Sequence, residues 1–168
     1  MTVDIGTPPQ TFLFNPDSGA PDFMVLTSLT GRTYTQPVYN PALSSTSAAT
    51  PDSSWGTEYG SGQILEGSLE TDNVIVGDLE FDGFSFEVAT YDNGLGGMTA
   101  SGIFGLDYSK AGMSTTPQVQ TWFGAVAPYL DCKNHSSNSH ARANILQLRY
   151  SVLISISQPE LEPSTLAT

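Results

Sequence analysis

A chain of 168 residues has the length of one compact domain or of one lobe of a larger protein, since single domains run roughly 100–200 residues. Its 17 acidic residues against five basic ones leave a formal net charge of -12 at pH 7, which excludes the Lys/Arg footprint that nucleic acid needs and disfavours anionic membrane surfaces. The lone Cys132 cannot form an intrachain disulfide, and no apolar run is long enough to span a bilayer.

From Thr2 to about Thr90, short β-rich runs alternate with Gly, Pro, Asn and Asp, the punctuation of a mostly antiparallel β protein. The predicted strands are Val3–Ile5, Thr11–Asn15, Phe23–Leu26, Trp55–Tyr59, Gln63–Leu69, Asn73–Val76 and Phe84–Thr90. Between them, Ala42 to Ser54 is rich in Ser, Thr, Ala and Pro and reads as a surface connection. Apolar residues at Val119, Trp122, Phe123, Val126, Ala127 and Leu130 predict one helix within Thr116 to Leu130, with Thr116-Pro117 as cap and first-turn pair.

Beyond Cys132 the composition shifts. Both histidines fall between Lys133 and Asn144, and an apolar stretch from Ile145 to Ile156 follows without a clear partner. The expected organisation is a folded unit over 1–130 and a divergent tail over 131–168. His135 and His140 have no zinc-ligand spacing around them, so no metal is expected. Asn134-His135-Ser136 fits a glycosylation acceptor and is given no role.

The chemistry centres on Asp17-Ser18-Gly19-Ala20, set between the runs Thr11–Phe14 and Asp22–Val25, so that a carboxylate is presented on a tight loop between two strands. Taken alone, Asp, Ser and Gly are also the residues of an ordinary turn. Three other segments occur in order around it: Val3 to Gln10 with Gly6-Thr7-Pro8-Pro9-Gln10, Trp55 to Leu69 with Tyr59-Gly60-Ser61-Gly62 at its turn, and Ser101-Gly102-Ile103-Phe104-Gly105-Leu106. Tyr39-Asn40-Pro41 followed by Ser44-Ser45-Thr46 lies between the first two. Over most of residues 3 to 130 this set resembles the amino-terminal lobe of the pepsin-like aspartic endopeptidases, of fungal type.

The resemblance implies a mostly β fold, a six-stranded double-psi β-barrel lobe with one helix near its carboxy-terminal end. It implies Asp17 as one carboxylate of a catalytic pair, supported by Ser18, Gly19 and the Ile103-Phe104-Gly105 element beneath the loop. Tyr59, Gly60, Ser61 and Gly62 would form a flap closing over a peptide or protein substrate. In such a pair, two carboxyls about 3 Å apart share one proton, so that one acts as base and the other as acid on a water. No cofactor is implied, and the location implied is secreted or vacuolar, although the sequence as given carries no signal segment.

Set apart from the resemblance, Tyr59 reads as a half-buried strand aromatic and Ile103-Phe104 as plain core. The chain departs from the family pattern in four places. It holds no second Asp-Ser/Thr-Gly, which points to an incomplete lobe whose packing partner is a missing carboxy-terminal lobe. Pro16 precedes Asp17, Ala20 replaces a frequent hydroxyl residue, and Met24 stands where a Trp commonly partners the flap tyrosine. The rival expectation is a non-catalytic lobe that holds extended peptide along a strand edge.

Overall fold

The computed structural model describes residues 1–30, 33–59, 62–94, 99–107 and 115–130. The predicted tail over 131–168 lies outside the described residues. Nine strands and one helix are described: β1 Thr2–Ile5, β2 Gln10–Asp17, β3 Phe23–Leu26, β4 Ala48–Ala49, β5 Ser54–Glu58, β6 Ile64–Val76, β7 Leu79–Asp92, β8 Gly102–Gly105, β9 Thr115–Thr116 and α1 Trp122–Leu130. Six of them close into a mixed barrel in the order β1-β2-β8-β3-β7-β6, and β6 returns to β1 through Asp4↔Ile75 and Ile5↔Val74. The β2–β8 and β3–β7 pairings are parallel and the rest antiparallel.

Alternation explains which side chains fill the barrel. In β2, Phe12 and Phe14 are buried while Thr11, Leu13 and Asn15 face outward, the period-2 pattern of a strand with one face on a core. β3 is buried on both faces. Phe23 and Val25 enter the barrel with Phe104, Phe84, Phe86, Val88 and Trp122, whereas Met24 and Leu26 join Trp55, Leu65, Ala89 and Ile103 in a second cluster. The wall formed by β7, β3 and β8 therefore separates two apolar clusters. Phe23 is the hub of the first, with ring centroids 5.0 Å from Phe14, 5.1 Å from Phe104 and 5.6 Å from a stacked Trp122. Contacts of this kind add about 0.5–1.5 kcal/mol each beyond the area they bury.

Three elements differ from the sequence expectation. Gln63–Leu69 and Asn73–Val76 belong to one strand, because the polar stretch between them stays paired: Glu70 sits opposite Phe86, Thr71 opposite Ser85 and Asp72 opposite Phe84. A register shift between Asp72 and Val74 bends the strand without ending it. The helix starts at Trp122 instead of near Thr116, because Thr115–Thr116 pair with Trp55 and Ser54 as a strand. Thr121 then caps it, its Oγ1 accepting from Gly124 N at 3.1 Å. Within the expected surface connection, Ala48–Ala49 pair with Thr71 and Glu70.

Candidate active site

Asp17 is the last residue of β2, and the loop it opens is held by the exit of β8. Leu106 N donates to Asp17 O at 2.8 Å, Asp107 N to Ala20 O at 3.0 Å and Gly105 N to Asp22 O at 2.8 Å. Only glycine fits at 105. A Cβ there would stand 2.5 Å from Asp22 O and 2.6 Å from Ala20 O, backbone atoms that cannot step aside. The sequence placed Ile103-Phe104-Gly105 under the loop, and the structure brings them there, with Asp17 opposite Gly105 and Pro16 opposite Phe104. Ile103 faces the second cluster and Phe104 the barrel interior.

The proline before Asp17 leaves this ladder intact. Phe14 N donates to Met1 O, on the side of β2 facing β1. Two residues further, Pro16 presents its missing donor to that same side, past the last β1 pair at Thr2↔Leu13. Within the loop, Gly19 N donates to Asp17 Oδ1 at 2.8 Å, an Asx-type turn that fixes the carboxylate. Ser18 and Gly19 are exposed.

The hairpin formed by β5 and the start of β6 carries Tyr59. Its register runs from Trp55↔Gly67 to Glu58↔Ile64, and its turn is closed by Tyr59 N to Gln63 O and Gly62 N to Tyr59 O. Gly62 has φ +79°, a left-handed conformation that favours glycine. Gly60 and Ser61, the other two predicted turn residues, lie outside the described residues. Tyr59 and Ala20 both pack against the second cluster, so the hairpin and the Asp17 loop share one seat, with Met24 buried in it where a Trp was the family expectation. Burial raises the Tyr59 hydroxyl above the usual phenol range, and the charges of Asp22, Asp17 and Glu87 raise it further, so it stays a donor.

Two residues of this seat escaped the sequence reading. Asp22 is 4% exposed and Glu87 is 1% exposed. Burial pushes the Asp22 carboxyl up to about 6, the nearby Trp55 indole N–H opposing the rise without reaching hydrogen-bond geometry. Glu87 is raised well above the carboxylate range by burial and then by the Asp22 charge, against two backbone N–H groups, its own and that of Phe23. In this conformation Asp22 Oδ1, Glu87 Oε1 and Trp55 Nε1 are buried without hydrogen-bond partners. The signal available in sequence was one acid inside or beside an apolar strand run, in Asp22-Phe23-Met24-Val25-Leu26 and Phe84-Ser85-Phe86-Glu87-Val88-Ala89. Among the described residues, no three His, Cys, Asp or Glu side chains are grouped to hold a metal ion, and no helix is long and apolar enough to cross a membrane.

Residues 1–137 match the profile of the eukaryotic aspartyl protease family. Podosporapepsin of Podospora anserina is 33% identical over 133 residues, which cover 77% of this chain and 31% of that protein. Endothiapepsin of Cryphonectria parasitica is 32% identical over 138 residues, covering 77% of this chain and 32% of that protein. The similarity to vacuolar protease A of Neurospora crassa is 35% over 112 residues, or 64% and 28% of the two chains. In fold, the chain is similar to the crystal structure of the aspartic proteinase from Irpex lacteus, with a TM-score of 0.57 at 23% identity, covering 76% of this chain and 35% of that one. The chain thus spans about a third of the length of the relatives it matches.

Proposed function

The chain belongs to the eukaryotic aspartyl protease family, and from that premise we propose that residues 1–130 form an amino-terminal-type lobe supplying one carboxylate, Asp17, to a peptide-bond-hydrolysing pair. The observation that carries the reading is the Asp17 loop pinned by three β8-exit amides and sharing a seat with Tyr59. Ser18 and Gly19 shape the loop, Ile103, Phe104 and Gly105 support it, and Tyr59, Gly60, Ser61 and Gly62 form the flap over an extended peptide or protein substrate. Catalysis of this kind places a water between two carboxyls that share a proton, one taking a proton from the water while the other protonates the departing group. The second carboxyl comes from a separate, carboxy-terminal-type lobe, the expected packing partner. Without it the chain has no acid to complement its base, so by itself it is inactive.

The test is complementation. The 168-residue chain, incubated with a denatured protein between pH 3 and 6, is expected to show no cleavage. Mixed and refolded with a carboxy-terminal half bearing Asp-Thr-Gly, it is expected to cleave, with inhibition by a transition-state analogue of aspartic proteases and abolition by Asp17→Asn. Complemented chain that binds the analogue and never cleaves would make it a peptide-binding pseudoenzyme lobe instead. Secretion or delivery to a vacuole goes with this reading, and the loss of net charge toward the pI of about 4.1 is compatible with an acidic working medium.

A further inference from the structure

The base of the hairpin rests on an acid pair that the family reading does not use. β3 and β7 run parallel with Met24 opposite Glu87. Glu87 and Ala89 therefore share one face of β7, and Ala89 belongs to the second cluster together with Met24, Trp55 and Leu65. Asp22, two residues before Met24, is buried beside this cluster and acts electrostatically on both Glu87 and Tyr59.

No cation among the described residues compensates the pair. All five Lys and Arg residues lie outside the described set, and the Met1 amine is engaged by Phe14 O. Among the described residues, the titratable groups facing the pair are acidic or phenolic. Tyr59 comes from the end of β5 and Asp17 from the end of β2, while Tyr34, packed on the same cluster, donates to Asp92 Oδ2. Burying one carboxylate without a partner is costly, and burying two near one another is more so, whereas protonation removes that cost.

We propose that Asp22 and Glu87 form a protonation-dependent latch under the hairpin: neutral, the two buried carboxyls let Trp55 and Tyr59 seat against the Asp17 loop, and ionised, they drive that seat apart. The latch ties closure of the hairpin to an acidic medium, independently of any second catalytic carboxyl. The raised proton affinities of both groups accord with this. An Asp with affinity raised from 3.8 to about 6 changes the unfolding constant about 100-fold across that interval.

The test reads conformation and not proteolysis, so its failure is separable from failure of the peptidase reading. Carboxyl-carbon NMR titration of the full 168-residue chain is expected to show Asp22 titrating at about 6 and Glu87 well above the usual carboxylate range. Amide exchange along Trp55–Glu58, corrected for intrinsic rates, is expected to accelerate between pH 4.5 and 7. Asp22→Asn combined with Glu87→Gln should abolish that acceleration and the 100-fold rise in the unfolding constant. Retention of the wild-type pH slope by the double variant would overturn the proposal. If that variant does not fold, the wild-type titration decides, and ordinary titration near 4 for both groups would overturn it.

Discussion

Asp72 and the Asp22–Glu87 pair are buried alike and treated oppositely. Asp72 is 0% exposed, yet its carboxylate is surrounded by donors: Tyr39 OH at 2.8 Å, Ser44 Oγ at 3.1 Å, Thr46 Oγ1 at 2.6 Å and Asn73 N at 2.8 Å. Those donors come from the 39–47 segment and from β6 itself, so the charge fastens a long connection to the barrel. Asp22 and Glu87 each have one unpartnered oxygen instead, and both act electrostatically on Tyr59 of the hairpin. A fully satisfied buried acid stabilises one arrangement of the chain. A pair satisfied only in part leaves its arrangement dependent on a proton, which is the behaviour expected at a site that opens and closes.

The largest expected effect comes from forcing the second region out of place. Gly105→Ala introduces a Cβ against the carbonyls of Asp22 and Ala20, and the loop must leave β8 to accommodate it. A loss of about 4 kcal/mol or more is expected in urea unfolding followed by tryptophan fluorescence. A loss under about 1 kcal/mol would show that the loop is not seated on β8 as described.

Asp72→Ala breaks the first region. It strands the Tyr39 hydroxyl, which keeps only Ser47 Oγ at 3.0 Å, and it removes the acceptor shared by Ser44 and Thr46. About 3 kcal/mol is expected to be lost, since a charged acceptor serving several donors is worth more than one neutral hydrogen bond.

The pH dependence separates the two regions with a defined sign. The folded Asp22 holds its proton up to about 6 against an ordinary 3.8, so the folded state binds more protons than the unfolded state over that window. Stability is then greatest below about pH 4, falls as pH rises toward 6, and levels above it. The fall attributable to Asp22 is about 3 kcal/mol, with Glu87 adding in the same direction as a coupled partner. Thermal melts from pH 3.5 to 7.5 measure it, and a melting temperature that rises across this range would contradict it.

Legibility in the sequence followed the range of the determining contacts. β3 was readable to its ends because Phe23–Leu26 is an unbroken apolar run after Pro21-Asp22, and the Asp17 loop was readable because its motif is local. The unity of β6 was not, because Glu70-Thr71-Asp72 looks like a turn until Ser85 and Phe86 are known to lie opposite. The helix start was misplaced for the same reason, since Thr116 is committed to Ser54 across more than 60 residues. Asp22 and Glu87 escaped because surface acids are the rule. Their burial is set by pairing β3 with β7 and by closing the hairpin over both.

The smallest effect comes from an acid with the same chemistry at a partly exposed position. Thr11 Oγ1 donates to Asp4 Oδ1 at 2.6 Å across the β1–β2 register, where Asp4 and Thr11 are directly opposite. The geometry is as good as any hydrogen bond to Asp72. Water competes for both groups at that exposed position, and the carboxylate takes water as a substitute donor when the hydroxyl is absent. Thr11→Val also installs a side chain that suits a strand, offsetting part of the lost bond. The change is therefore expected within about 0.5 kcal/mol of the parent by urea unfolding, and independent of pH between 5 and 7. A loss above about 1.5 kcal/mol would mean that hydrogen-bond geometry, and not burial, sets the worth of an acid in this fold, and the contrast between Asp72 and the latch would then need another cause.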